Sequence, residues 1–391
     1  MSSNFNKIGS HIRLVDERDR ALRVKTLLGL SIDKVFIPSV ANTIGSDMGN
    51  YKIIYKGQFA CSLMQVRRDK KIPVALLTDF DEAIISQAYP VFEIIDSGKL
   101  LPEYLMMWMT RSEFDREACF YAVGGVRGSL EWEDFCNMKL PVPSLEKQHV
   151  IVTEYNTIVN RIKLNERLNQ KLEETAQAIY KQWFIDFEFP VSAEYAASIG
   201  KSEIEGKPYK SCGGEMVFNE VLKQEIPKSW DDCFLSAKIE FMNGRTRPSI
   251  NGTIPVYGGN GILDYTAEYN YENIVAIGRV GAYCGSLHRI INKCWVSDNA
   301  ICAKSKDNCY DFSYYLLKSL CLNDRSEGTG QPLLTQGLLN TINTINSTKE
   351  LEYMFNDIAL KIDSAMELVQ NECRKLSNIS SLLLSSLAQN K

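Results

Sequence analysis

The feature that most constrains this chain is an internal repeat with a spacing of 204 residues. Four residues recur unchanged at that spacing, and the pairs are Ile158 and Ile362, Leu164 and Leu368, Lys171 and Lys375, and Leu172 and Leu376. Each half reads as a β-rich segment, an aromatic patch, a glycine-containing turn and a helix. An internal repeat fixes architecture before any single motif does. We therefore predict two globular modules, each followed by one long helix.

The two helices carry apolar residues at alternating spacings of three and four, which is the pattern of a coiled-coil seam. The first is predicted to run from Ser144 to about Phe187, and the second, with a capping box of Ser347 and Glu350, to about Ala388. The seam residues are Ile151, Ile158, Ile162, Leu172 and Trp183 in the first helix, and Phe355, Ile362, Val369, Leu376 and Leu383 in the second. Such stripes would bury each other in an antiparallel pair. A helical arm that serves only for dimerisation is the alternative.

The predicted fold class is α+β, with two α/β modules that contain curved sheets and are separated by the two long helices. The boundaries place a first module at 1–143, a first helix at 144–189, a connector at 190–229, a second module at 230–346 and a second helix at 347–391. Approximate twofold symmetry suits a twofold-symmetric partner, such as a DNA duplex or a pair of identical subunits. A duplication without a symmetric partner is the alternative.

Composition excludes several classes of function. The net charge of −4 argues against a non-specific polyanion binder but allows a reader that concentrates its positive charge locally. The sequence shows neither an apolar run long enough to cross a bilayer nor a signal-peptide pattern, so we expect a cytoplasmic protein. Three histidines and eleven cysteines without a CxxC pair provide little material for a metal site.

Motifs of catalysis are weak along the whole sequence. A Gly-Lys-Ser at 200–202 lacks the upstream glycine of a phosphate loop, because position 195 is Tyr. Asp186 with Glu205 and Lys207 matches a permissive nuclease pattern inside a loose connector, where a chance match is expected. We therefore predict a chain with no catalytic residues and no metal site.

Several segments together resemble a known family. LPVPSLEKQ at 140–148 ends a module and opens a helix, and QWFIDFEFP at 182–190 leads through GKPYKSCGGEMVFNEVLKQEIPKSW at 206–230 into the second module. With LVDERDRALRV at 14–24, these segments are similar to the specificity subunit of type I restriction-modification systems. The second junction departs from the family pattern, since INSTKELE lacks the prolines and has Glu352 where Gln is usual.

The resemblance implies a non-catalytic DNA-binding subunit. Each module would read one half of a bipartite, asymmetric site, and the helices would set the gap and dock two methylation subunits. Two restriction (motor-nuclease) subunits would join the complex, and the partners would bind S-adenosylmethionine, ATP and Mg. Positive charge and polar groups beside turns suggest the DNA contacts Arg67, Arg68, Lys70, Lys71, Arg127, Arg245, Arg247, Arg279, Tyr283, Arg289 and Gln331. The alternative is a non-catalytic bivalent scaffold whose modules bind proteins.

Overall fold

The computed structural model describes residues 5–39, 47–124, 128–327 and 332–388. The chain divides into two compact units. One contains Met1–Glu166 with Asn371–Lys391, and the other contains Arg167–Gln370. Both long helices continue from one unit into the other, so each unit holds one module and part of each helix. The predicted mixed α and β architecture with two long helices is confirmed.

The described residues of the first unit form ten short strands. They are β1 (Phe5–Lys7), β2 (Ile12–Val15), β3 (Leu27–Leu30), β4 (Phe36–Pro38), β5 (Lys52–Tyr55), β6 (Phe59–Cys61), β7 (Val74–Leu76), β8 (Glu82–Ile85), β9 (Val91–Ile94) and β10 (Lys139–Pro141). One sheet has the order β2-β9-β6-β7 and is antiparallel throughout, whereas the order β4-β3-β8-β5 includes the parallel pair β3 and β8. The edge strand β5 and the internal strand β6 are buried on both faces, because the consecutive residues Ile53 and Ile54 of β5 and Phe59 and Ala60 of β6 are all buried.

Four short helices complete the first module before the first long helix begins. They are α1 (Val66–Asp69), α2 (Pro102–Thr110), α3 (Ser112–Tyr121) and α4 (Trp132–Asn137), followed by α5 (Leu145–Phe184). Helical spacing predicted one segment from Pro102 to Phe120, but Arg111 adopts an extended conformation and separates α2 from α3. Ser144 precedes α5, and its hydroxyl accepts a hydrogen bond from the Lys147 amide at 3.4 Å, as predicted for the cap.

In the described part of the second unit, eleven strands and four further short helices precede the last long helix, α10 (Lys349–Ser386). The strands are β11 (Met216–Asn219), β12 (Gln224–Pro227), β13 (Asp231–Phe234), β14 (Ile239–Asn243), β15 (Ile254–Gly258), β16 (Gly261–Thr266), β17 (Ile274–Gly278), β18 (Leu287–Ile290), β19 (Trp295–Val296), β20 (Ala300–Ser305) and β21 (Asn343–Asn346). The short helices are α6 (Ala193–Ser198), α7 (Leu235–Lys238), α8 (Tyr310–Ser319) and α9 (Gln336–Asn340). Its main sheet has the order β14-β20-β17-β18, and a smaller sheet has the order β16-β15-β19.

The repeat is visible in how each module closes. In the first module β1 pairs with β10, so that Phe5 opposes Pro141 a few residues before α5 begins. In the second module β13 pairs with β21, so that Asp231 opposes Asn346 directly before α10. Each module therefore brings its first strand and its last strand together at the start of a long helix.

The two long helices run antiparallel within each unit. In the first unit Arg161 on α5 forms a two-pronged ion pair with Glu372 on α10, with N···O distances of 3.0 and 3.2 Å. In the second unit the ring of Phe355 on α10 packs 5.4 Å from Tyr180 and 6.2 Å from Trp183 on α5. Later residues of α5 thus meet earlier residues of α10, as the seam pattern predicted.

The segment between the modules is more ordered than its composition indicated. Residues 190–229 contain α6 and the hairpin of β11 and β12, and they form a small core of their own. In this core Val191, Ala196 and Tyr209 are buried, and the Tyr209 ring stacks on Phe189 at 4.7 Å. The low periodicity of the sequence did not reveal this packing, because the elements involved are only four to six residues long.

One local prediction about a helix start needs correction. The capping box of Ser347 and Glu350 is replaced by another arrangement, because the Ser347 hydroxyl donates to Glu352 Oε1 at 2.8 Å. Glu352 is 2% exposed and also accepts a hydrogen bond from Lys238 Nζ. The residue that departs from the family pattern is therefore a buried carboxylate with a buried cation beside it.

Candidate nucleic-acid interface

The predicted contacts of the first module gather on and after α1. The Arg67 amide donates to the Gly128 carbonyl, and its guanidinium donates to the Gly124 carbonyl, each at 3.3 Å. These bonds hold Gly124 and Gly128 against α1. Lys70 ends α1 in a left-handed conformation, with φ 54°, and is exposed.

Two of the four cations after β6 lie beside carboxylates. Arg68 Nε is 2.6 Å from Asp69 Oδ1, and Lys71 Nζ is 3.8 Å from Asp33 Oδ1. All four cations remain exposed, so the surface carries an excess of positive charge. Such a surface can bind phosphate groups through charge-assisted hydrogen bonds.

In the second module, two of the predicted arginines follow β14. Arg245 is exposed, and its backbone is fixed by a hydrogen bond from its amide to the Val296 carbonyl at 3.0 Å. Arg247 is exposed as well and forms an ion pair with Asp264 on β16. Arg245 is therefore a candidate for phosphate contacts. Arg247 is a weaker candidate, because its charge is already paired with the Asp264 carboxylate.

Tyr283 lies on a turn whose backbone is packed closely, as the glycine pattern predicted. A Cβ at Gly278 would be 2.0 Å from the Tyr283 carbonyl oxygen, and Gly281 has a φ of +70°. The turn holds the Tyr283 side chain 51% exposed. Arg279, beside the same turn, is half-buried, and its Nε has no hydrogen-bond partner among the described residues.

Arg289 differs from the other predicted contacts because its charge is neutralised inside the second unit. Its guanidinium is 2.8 Å from Asp311, forms a second ion pair with Asp363 on α10, and lies 5.3 Å from the Tyr314 ring centroid. Only 18% of the side chain is exposed. We therefore assign Arg289 a structural role. Arg127 and Gln331 lie outside the described residues.

One strongly exposed side chain was not among the DNA contacts predicted from the sequence. Phe120, in the last turn of α3, is 80% exposed beside the glycine turn of the first module. Phe120 follows an aromatic patch whose members Tyr104 and Trp108 are buried. No signal in the sequence separates Phe120 from them.

The seam residues predicted for subunit binding lie on the faces of the helices that turn inward. All ten are buried or half-buried, and Phe355 is completely buried. Other apolar side chains of the same helices are exposed, among them Leu164 at 55% and Leu368 at 71%. These two leucines occupy equivalent positions of the repeat. A partner that docks on the helices would therefore meet them rather than the seam.

Other classes of site have little support in the described parts of the chain. Across residues 5–39, 47–124, 128–327 and 332–388, no three His, Cys, Asp or Glu side chains are arranged to hold a metal ion. Over the same residues, no helix combines the length and apolar character that a membrane span needs. The cysteines are free thiols, and burial raises the pKa of Cys294 to about 12 and that of Cys309 to about 11.

Known proteins resemble this chain in sequence over part of its length. Residues 67–174 match the type I restriction modification DNA specificity domain. The type I restriction enzyme HindI specificity subunit of Haemophilus influenzae is 30% identical over 121 residues, which are 30% of this chain and 26% of that protein. The MjaIX specificity subunit of Methanocaldococcus jannaschii is 28% identical over 145 residues, or 37% of this chain and 28% of the relative. The matched segments thus span about a quarter of these relatives.

A solved structure extends the likeness to the whole fold. The S subunit of a type I restriction-modification system from M. genitalium superposes with a TM-score of 0.59 at 16% identity, over 98% of this chain and 95% of that one. This likeness concerns the fold, including the two long helices. The resemblance inferred from the sequence is thus confirmed, because the chain carries the sequence signature of the type I DNA specificity domain and has the fold of a type I specificity subunit.

Proposed function

We propose that the chain is the DNA-specificity subunit of a type I restriction-modification complex, in which each module reads one half of a bipartite, asymmetric site. The observation that carries the proposal is the repeated construction of the two units. Each module closes with a strand pair at the start of a long helix, and each presents exposed basic residues beside glycines, with Arg67 bonded to Gly124 and Gly128 and Arg245 following Gly244. Two similar reading surfaces on one chain suit a divided target.

The exposed side chains suggest a division of labour at the DNA. Arg67 and Lys70 in the first module and Arg245 in the second would hold phosphates and fix the register of each module. Tyr283, presented by its tight turn, is suited to contact bases. Contacts to bases would supply the specificity, since phosphate contacts carry no direct sequence information.

The long helices would set the gap between the half-sites and dock the partner subunits. Helix α5 has 40 residues and α10 has 38, so each is about 60 Å long at about 1.5 Å per residue. Leu164 and Leu368, exposed at equivalent positions of the repeat, suit two identical methylation subunits. Two restriction subunits would join them in the cytoplasm. S-adenosylmethionine, ATP and Mg would be bound by these partners, and this chain would be non-catalytic.

Mapping methylated adenines tests this function directly. Genomic DNA from cells with and without the chain, both expressing the methylation subunits, should differ at one bipartite motif with a constant gap. A gel-shift of the chain with its methylation partners on the mapped duplex should give a discrete complex. Failure to find any motif or any complex would favour the bivalent protein scaffold.

A variant with shorter helices tests the role of the helices separately. Removal of one paired heptad from α5 and α10 shortens each rod by about 10 Å, or about three base pairs at about 3.4 Å per pair. We expect a gap shorter by about three base pairs with both half-sites unchanged. Altered half-sites with an unchanged gap would contradict the role of the helices as a spacer.

A further inference from the structure

The last turn of α3 exposes an aromatic cluster that no interaction within the module explains. Phe120 is 80% exposed, which is the largest exposure of any large apolar side chain in the described parts of the chain. The ring centroids of Phe120 and Tyr121 are 5.4 Å apart, in an edge-to-face arrangement. Val123 is 59% exposed. We call Phe120, Tyr121 and Val123 the aromatic tip. Leaving such a side chain in water forgoes the free energy of its burial, which a bound partner would recover.

Cations surround the aromatic tip. Helix α1 lies against α3, because the Cys119 thiol donates to the Val66 carbonyl at 3.4 Å. The guanidinium of Arg67 reaches the Gly124 carbonyl, just after the tip. Lys70 directly follows α1 and is exposed, so a second cation lies at the end of the helix that contacts α3.

A further cation follows from the helical geometry of α3. Arg116 precedes Phe120 by one turn, so both side chains project from the same side of the helix. The Arg116 side chain is 71% exposed and pairs at 3.2 Å with Glu113, which is itself 44% exposed. The tip is therefore an apolar centre with exposed cations on two sides, of which Arg116 shares its charge with Glu113.

This combination suits a nucleic acid better than a protein. Cations on either side can hold successive phosphates, while an aromatic ring between them reaches the faces or edges of the bases. Side chains such as Phe also enter DNA grooves as apolar wedges or contact thymine methyl groups. A protein partner would have to provide an apolar pocket surrounded by carboxylates, and nothing in the molecule indicates such a partner.

We propose that Phe120 is a specificity-determining residue that contacts the bases of the first half-site, while Arg67 and Lys70 hold the adjacent phosphates. This inference rests on the proposed function and names the residue that carries base contact in the first module. The second module presents Tyr283, 51% exposed on its glycine-built turn. Each module thus offers one strongly exposed aromatic side chain beside a glycine turn.

The test uses the complex of the full chain with its methylation subunits and the duplex identified by methylation mapping. Binding is measured by fluorescence anisotropy over a series of salt concentrations. Phe120→Ala should weaken binding of the specific duplex by about fivefold or more, because a stacked aromatic contributes that much. The salt dependence should stay unchanged, and Phe120→Trp should keep most of the affinity. Arg67→Ala should instead reduce the salt slope by about one.

The matched control is Leu14→Ala, because Leu14 is 52% exposed on β2, the edge strand of its sheet, and should leave DNA binding unchanged. The inference is overturned if Phe120→Ala binds within about twofold of the wild type, or changes the salt slope, or weakens assembly with the methylation subunits. A wild-type complex that binds no duplex would overturn the proposed function as well. The two failures are therefore distinguishable.

Discussion

Helix α10 and helix α5 are attached to their modules by different chemistry. On α10, three polar side chains occupy one face, since Glu352, Asn356 and Asp363 are separated by four and seven residues. Glu352 is buried against Lys238. Asn356 accepts hydrogen bonds from the first-turn amides of α8 at 3.0 and 3.3 Å, and Asp363 pairs with Arg289. A row of charges and polar groups therefore joins this helix to the second module.

The equivalent positions on α5, 204 residues earlier, are Gln148, Val152 and Val159. Gln148 is completely buried, and its side-chain oxygen accepts from the Leu101 amide while its nitrogen donates to the Lys99 carbonyl, each at 2.9 Å. Val152 is 8% exposed and belongs to the core of the first module. One neutral amide and apolar packing therefore attach α5 to the first module.

The comparison shows that the repeat keeps the geometry of attachment while its chemistry changes. In both units the long helix binds the start of a module helix, α2 through Gln148 and α8 through Asn356. A buried carboxylate at position 352 needs a buried cation, and Lys238 supplies it, whereas an amide at position 148 needs none. We expect the second attachment to be the more sensitive to single substitutions.

The largest effect is expected for Glu352→Leu. This change leaves the Lys238 ammonium, 4% exposed, buried without its carboxylate. Loss of one partner from a buried ion pair costs about 3–5 kcal/mol. The free energy of opening of the second unit, measured by hydrogen exchange of its peptides, should fall by that amount. Peptides of the first unit provide the internal reference.

A double variant separates the effect of the unpaired Lys238 charge from the effect of the changed side-chain shape at position 352. Lys238→Met combined with Glu352→Leu removes both charges, and replacement of a buried pair by apolar side chains is often neutral or stabilising. We expect the double variant to recover most of the loss. If the single variant cost less than about 1 kcal/mol, the ion pair would not be the main attachment.

A smaller effect is expected for Gln148→Leu in the first unit. The substitution keeps the volume of the side chain but leaves the Leu101 amide and two backbone carbonyls without their partner. Unpaired buried polar groups cost about 1–3 kcal/mol. Hydrogen exchange should show the loss in the first unit, and the exposed neighbour Lys147→Ala should cause none. A cost as large as that of Glu352→Leu would refute the difference between the attachments.

The third effect concerns the cap that α10 provides to α8. Asn356→Val copies the residue at the equivalent position of α5 and removes the acceptor for the amides of Asp311 and Phe312. Loss of a cap costs about 1 kcal/mol. Thermal unfolding followed by circular dichroism measures it, and Ser364→Val on the exposed side of α10 controls for the helix propensity of valine. Equal losses in both variants would show that the cap contributes nothing.

The sequence predicted the parts of the fold that depend on local periodicity. The helices, the seam and the repeat follow from spacings of three, four and 204 residues, and the strands β5 to β9 lie within the predicted β-like runs. The strand pairs that close each module could not be predicted. Phe5 and Pro141 are far apart in the sequence, and their pairing depends on the folding of everything between them.

The candidate interface was harder to predict because exposure depends on distant residues. Arg245 and Arg289 look alike in sequence, since each is a cation near a glycine turn. Arg289 lies on β18, and Asp363, which neutralises it, lies on α10, 74 residues further along the chain. Phe120 differs from Arg289 in the opposite direction: its residue type predicts a buried position, but the side chain is exposed. It is exposed since α3 ends at the next residue and none of the described elements of the module covers it.

The smallest effect is the acid sensitivity of the contact between α5 and α8, which can be followed through Glu173 on α5. Burial raises the pKa of this side chain, but hydrogen bonds from Lys318, Gln177 and Tyr315 outweigh burial and hold the pKa below its ordinary value of 4.5. A carboxyl group with a lowered pKa stabilises the fold above pH 4.5, and this contribution is lost as the pH falls through the lowered value. The protection of the α8 peptides from hydrogen exchange should therefore differ between pH 6 and pH 3.5, with less protection at pH 3.5. Glu173→Gln, which keeps the shape and removes the titration, should narrow that difference, and an unchanged difference would assign the acid sensitivity to other carboxyl groups.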